Sequence, residues 1–137
     1  MHEVNLFAVL VAGIVPMVIG ALWYGPLFGK RWLAMMEMTA EEVQEGFNPV
    51  KTYGVSFVLA LVTAYVIAQL VAELGPEGGG SAMVGVHVAL MALIAFVLPA
   101  AQQSVTFEKR KAGLAWLNVA YNGVALLGQA VVIAVWP

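Results

Sequence analysis

Seven side chains are the candidates for recognition chemistry in the apolar parts of this sequence: Trp23, Tyr24, His87, Gln102, Asn118, Asn122 and Gln129. Only His87 among them is an acid or base, and no carboxylate or cation stands deep in the apolar runs. Proton relays and ion pathways in membranes are ordinarily built from such groups. Asn118, Asn122 and Gln129 fall within about 40° of one helical line at about 100° per residue, with Ala125 and Trp136 on the same stripe. Amides so placed either bond to a neighbouring helix, at about 0.6–2 kcal/mol per contact, or wall a cavity. His87 is expected as a buried neutral imidazole bonded to Gln69 or Gln129. A metal there would need His2 and Glu3 as further ligands, so no metal is expected.

No His-Glu-x-x-His, Gly-x-Ser-x-Gly or paired-carboxylate arrangement occurs, and the chain has no cysteine, which excludes thiolate chemistry and disulfides. Glu41, Glu42 and Glu45 read as a solvated helix face. The stretch Glu73 to Gly80 is glycine-rich but lacks the Lys-Ser/Thr pair and preceding strand of a phosphate loop. No basic patch goes beyond what membrane anchoring explains, so nucleic acid is not an expected partner. The sequence predicts no catalytic residue, no cofactor and a non-enzymatic protein.

The elements that position these side chains follow from composition. Hydrophobic residues make up 62% of the chain and charged residues 10%, too few charges to cover every helix of a soluble fold. The charges instead leave four windows free, Val4–Tyr24, Thr52–Ala72, Ser81–Phe107 and Ala112–Trp136. About twenty helical residues span the roughly 30 Å hydrocarbon core, so each window predicts a transmembrane helix. "MHEVN" lacks a basic n-region, and the first window reads as a retained helix rather than a signal. The expected architecture is all-α: one membrane domain over residues 1–137, an antiparallel four-helix bundle with a short interfacial helical segment between its first and second spans.

All six cations lie in two segments, Lys30, Arg31 and Lys51 in one and Lys109, Arg110 and Lys111 in the other. The positive-inside rule places both in the cytoplasm and both termini outside, as in a multi-pass protein of the bacterial inner membrane. "GALWYGPLFGKRW", Gly20–Trp32, has the order of a membrane exit: Trp23 and Tyr24 at the headgroup level, Gly25 and Pro26 stopping the helix, then Lys30, Arg31 and Trp32 as anchors. Lys109, Arg110 and Lys111 anchor the second basic segment. "RWLAMMEM" reads as a helix lying in the interface, and Thr39 to Glu42 as a capping box opening a second short helix that ends near Gly46.

Small residues recur every four positions in the second span, at Ser56, Ala60, Ala64, Ala68 and Ala72, and less regularly in the first, at Ala8, Ala12, Pro16 and Gly20. These faces are expected to meet, because lipid gives helices no hydrophobic drive to associate and close van der Waals contact must replace it. Pro16 and Pro99 predict kinks that free the carbonyls of Ala12 and Ala95. "FGKR" at Phe28 and "FEKR" at Phe107 suggest a duplicated two-helix unit.

The W-Y-x-P-x-x-F-G-K segment (Trp23, Tyr24, Pro26, Phe28, Gly29, Lys30), with the later "FEKRKAGLAWLNVAYNGV", resembles the small bacterial membrane proteins grouped as domain of unknown function 1761. The resemblance covers essentially the whole chain. It implies a four-helix integral membrane protein and supplies no activity, but it raises Trp23–Trp32 as a functional segment. The expected role is a homo-oligomeric ligand-binding, transporter or channel-like protein, with Trp23, Asn122 and Gln102 bounding the ligand space. The alternative is a structural or accessory subunit of a larger membrane complex. A lipid-modifying enzyme using His87 or Tyr24 comes third. Expected partners are membrane lipids, further copies of the chain and other membrane subunits.

Overall fold

The computed structural model describes residues 2–76 and 81–137. Among them all regular structure is helical: α1 (Leu6–Leu22), a π turn (Trp23–Leu27), α2 (Gly29–Met36), α3 (Ala40–Gln44), α4 (Pro49–Leu74), α5 (Ala82–Ala92), a second π turn (Leu93–Val97), α6 (Leu98–Thr106) and α7 (Ala112–Ala134). Four continuous spans, Leu6–Leu27, Pro49–Leu74, Ala82–Thr106 and Ala112–Ala134, are long and apolar enough to cross a membrane. Of the glycine-rich loop, residues 77–80 lie outside the described residues.

Local chemistry sets the helix starts. Asn5 Oδ1 accepts from the backbone N–H of Phe7 and Ala8, and Thr39 Oγ1 accepts from that of Glu42 at 3.1 Å. The second span begins three residues before the charge-free window, because Asn48 caps Lys51 N–H at 3.1 Å and Pro49 takes the first helical position. Lys51 therefore sits inside the first turn of α4, where a search for charge-free residues does not look.

α7 is the axis of the packing, touching α1, α4 and α5 and burying residues from Leu114 to Ala134. Ala8 and Ala12 of α1 and Ala60, Ala64 and Ala68 of α4 are buried where those helices meet. Gly13 belongs to the same seam: a Cβ there would come within 2.6 Å of Leu61 Cδ2. The small-residue stripe stops short toward the connection between α1 and α4. Ser56 is exposed, and Gly20 approaches Tyr121 of α7 instead of α4.

Burial is confined to one half of the molecule for every span except α7. The buried residues are Ala8–Gly13 in α1, Ala60–Val71 in α4 and Gly85–Ala89 in α5, while α6 has none. At this closed end His2 N–H donates to Gln69 Oε1 and Gln69 Nε2 donates to His2 O, both at 2.9 Å, and His2 Nε2 lies 2.6 Å from Glu73 Oε2. At the open end Lys111 Nζ bonds Glu37 Oε1 at 2.8 Å, which ties the two basic segments together.

The prolines act differently from each other. α1 stays α-helical through Pro16, whereas the third span passes through a π turn just before Pro99 without ceasing to be a helix. The two Phe-x-Lys-Arg segments do not share a conformation: Phe28 packs on Trp23 and leads into α2, while Phe107 is exposed and leads into a turn. The suggested duplication has no counterpart at these segments.

Candidate functional site

The Trp23–Trp32 segment forms a folded corner. Pro26 has no N–H to give, the Gly25 backbone leaves the helical region (φ −111°, ψ −106°), and Phe28 N–H reaches Trp23 O at 2.9 Å to close the π turn. The tightness requires Gly29, where a Cβ would sit 2.8 Å from Tyr24 O. This corner points two side chains at α7. Trp23 Nε1 donates to Leu117 O at 3.3 Å, and Tyr24 Oη donates to Asn118 Oδ1 at 2.6 Å. The Tyr24 ring centroid lies 5.3 Å from those of both Trp32 and Tyr121, and Tyr121 Oη donates to Pro16 O at 3.0 Å. Trp32, expected as a lipid anchor, is half-buried in this cluster, while Lys30 and Arg31 beside it are exposed.

On the far side of Asn118 the third span opens away from α7. α5 packs so closely that a Cβ on Gly85 would come within 2.6 Å of Ala130 O. The π turn and Pro99 then redirect the chain, and cavities form on both flanks of α6. One, about 370 Å³, is lined by Phe96, Val97, Ser104, Arg110, Asn118 and Asn122, among others. The other, about 300 Å³, has Gln102, Pro99 and Trp116 among its lining residues.

Polar groups of the larger cleft are only partly used. Asn118 Oδ1 is taken by Tyr24, and Asn118 Nδ2 has no partner among the described residues. Asn122 Nδ2 donates back to Asn118 O at 2.9 Å, while Asn122 Oδ1 has no partner among the described residues. Ser104 Oγ donates to Ala101 O at 2.7 Å. Left-handed Lys109 (φ 60°) turns the chain so that Arg110 N–H bonds Ser104 O at 3.1 Å, holding Arg110 at the cleft mouth. Its Nε lies 3.3 Å from Glu108 Oε2. The cleft therefore offers a cation, amide donors, an amide acceptor and an apolar wall.

The remaining expected site residues are elsewhere. Gln129 is 2% exposed and donates from Nε2 to both Ala12 O and Ala60 O at 3.1 Å, so it faces α1 and α4 instead of the cleft. Gln102 donates to Thr106 Oγ1 at 3.0 Å on the other flank of α6. Trp23, Asn122 and Gln102 thus do not border one space. The expected burial of His87 is corrected. Gly85, Val88 and Ala89 form the inward face of α5, His87 projects from the opposite side and is exposed, and both proposed amide partners are bonded elsewhere. Among the described residues no three His, Asp or Glu could share a metal ion. The Lys111 ammonium, bonded to Glu37, holds that carboxyl below its ordinary range.

Sequence reasoning missed Tyr121 as a member of the cluster, although it stands three residues after Asn118 and so on the adjacent helical face. It also missed Ser104, Phe96 and Val97, which line the cleft. A family model described as protein of unknown function (DUF1761) matches residues 7–134. No curated protein and no solved structure matches the chain.

Proposed function

This chain belongs to the DUF1761 family of proteins of unknown function, and from that premise we propose that it is a non-enzymatic membrane protein that binds an amphipathic ligand in the α6–α7 cleft. The observation that carries the reading is the pair of unused amide groups on Asn118 and Asn122 beside Phe96 and Val97 in one open cavity. A polar group left unpaired in hydrocarbon is costly, so this wall favours an occupant that is itself part polar. The volume falls within the ordinary range of small-ligand sites, roughly 300–1,000 Å³. Ala12, Ala64, Ala130 and Gln129 fill the centre of the packed half, which argues against conduction through a single chain. A transport path belongs between copies in a homo-oligomer, with the basic end in the cytoplasm of an inner membrane and the helices antiparallel.

A photoreactive acyl amphiphile, reconstituted with the full chain, tests the reading. Crosslinks should concentrate on Phe96 and Val97 and fall when Ala100→Trp fills the cleft. Labelling spread evenly over lipid-facing residues such as Leu59 and Val62 would overturn it. Gln129 favours the accessory-subunit alternative, because this amide lies in dry helix contacts and serves packing alone. That alternative is rejected if the isolated chain binds ligand with no partner present.

A further inference from the structure

Resting on that ligand-binding reading, we infer that the cleft selects a medium-chain hydroxy acid: a carboxylate, one hydroxyl near it and a single short chain. Asn118 and Asn122 stand one turn apart on α7, a spacing that puts Cβ atoms about 5–6 Å from each other. The bond from Asn122 Nδ2 to Asn118 O folds the second amide back toward the first. Asn118 Nδ2 requires an acceptor and Asn122 Oδ1 a donor, and neither has a partner among the described residues. A hydroxyl is both at once, with one proton to give and lone pairs to accept. At about 2.8 Å from each amide atom, one hydroxyl oxygen bridges a gap of that size.

Two further features define the rest of the molecule. Arg110 lines the same cleft at its mouth, held there by the left-handed Lys109 and the bond from Arg110 N–H to Ser104 O. Glu108 engages Nε at 3.3 Å and leaves the terminal guanidinium nitrogens to fork a carboxylate. Arg110 and Asn118 border one cavity of about 370 Å³, so few carbons separate carboxylate from hydroxyl. Beyond Phe96 and Asn122 the helices meet again, with a Cβ on Gly123 lying only 3.4 Å from Leu93 Cδ2. A chain along Phe96, Val97 and Val119 is therefore short.

Other amphiphiles fit less well. A plain fatty acid leaves both amides unpaired, and a neutral alcohol or ester gives Arg110 no anion. A lysophospholipid carries its ester carbonyl below its hydroxyl, where Phe96, Val97 and Val119 hold no donor. A diacyl phospholipid brings two long chains to a space that closes at Leu93.

Competition on the detergent-purified full chain tests the inference. The photoreactive acyl amphiphile is displaced from Phe96 and Val97 by each enantiomer of β-hydroxydecanoate, by decanoate or by β-hydroxydecanoate methyl ester. The better enantiomer should compete about tenfold or more strongly than decanoate and the methyl ester, the scale of one well-made hydrogen bond. The enantiomers partition into detergent alike, so a severalfold difference between them reports simultaneous contact with Arg110, the amide pair and the chain wall. Asn122→Leu should remove the advantage over decanoate, Arg110→Gln that over the methyl ester, and Lys51→Gln neither. Decanoate competing as well as the hydroxy acids would assign the amide pair to a bridging water, overturning the inference and leaving the ligand-binding reading in place. Equal competition by the enantiomers, or none by any acid, would overturn it too. If the amphiphile never labels the cleft, both readings fall. The enantiomer and decanoate comparisons use the unaltered chain, so they decide the matter even if Asn122→Leu misfolds.

Discussion

Gln129 donates across 3.1 Å to the carbonyl of Ala12, the carbonyl that Pro16, having no N–H, leaves without its helical partner. The same amide nitrogen also reaches Ala60 O at 3.1 Å, so one side chain of α7 joins α1 and α4 in the closed half. A proline inside a helix is tolerated when another group satisfies the freed carbonyl. Gln129→Met keeps most of the volume and removes both donors, so the chain should lose about 1–3 kcal/mol of stability. Thermal unfolding in detergent measures this, and a variant as stable as the parent would refute the assignment.

Close approach of α5 to α7 depends on Gly85. Gly85→Ala puts a methyl group 2.6 Å from Ala130 O, a backbone atom that cannot turn aside, and the helices must separate at a cost of about 1–3 kcal/mol. Gly54→Ala is the contrasting case. Nothing lies within 4 Å of its Cβ, and removing a helical glycine should gain about 0.5–1 kcal/mol. Equal shifts for the two variants would count against the packing described for α5.

Tyr24→Phe removes the donor to Asn118 and leaves the ring contacts in place, so it should cost about 0.6–2 kcal/mol. Tyr24→Ala removes the packing against Trp32 and Tyr121 as well. It should free α2 from α7 and expose the segment joining α2 to α4 to limited proteolysis. A digestion pattern identical to that of the parent would show that the aromatic cluster does not fasten α2.

Glu37 and Lys111 link the basic segments through an exposed ion pair that lowers the Glu37 carboxyl below its ordinary value of 4.5. A depressed folded-state value means the pair stabilises the chain above the unfolded carboxylate value and loses that contribution as pH falls through the folded one. The stability difference between the parent and Glu37→Gln should therefore be constant near neutrality and shrink as the pH falls below the unfolded carboxylate value, about 4.3. A difference that grows on acidification would contradict the ion pair.

Much of the fold was legible because hydrocarbon imposes a coarse rule: long charge-free windows become helices that fit its thickness. The four windows meet that rule, and Ala12 and Ala64 mark their seam by size alone. The site was less legible. Asn118, Asn122 and Gln129 share one stripe, but an angular position on α7 does not say which helix stands opposite at each depth. α4 closes over Gln129, while α6 swings away from Asn118 and Asn122. His87 failed for a related reason, since an apolar helix with little contrast between its faces gives no hint of which one turns inward. The π turns were invisible as well, because a shift from i→i−4 to i→i−5 hydrogen bonding leaves no mark in the spacing of apolar residues.

The π turn at Leu93–Val97 means that the third span carries one residue more than a regular helix of equal path would need. Its two halves are consequently out of phase, and a single deletion within the turn would bring them back into register, leaving Pro99 alone to bend the span. The faces that Phe96, Val97 and Ser104 present beside Asn118 thus follow from a surplus of one amino acid, while the closed half, which lies before the turn, does not depend on it.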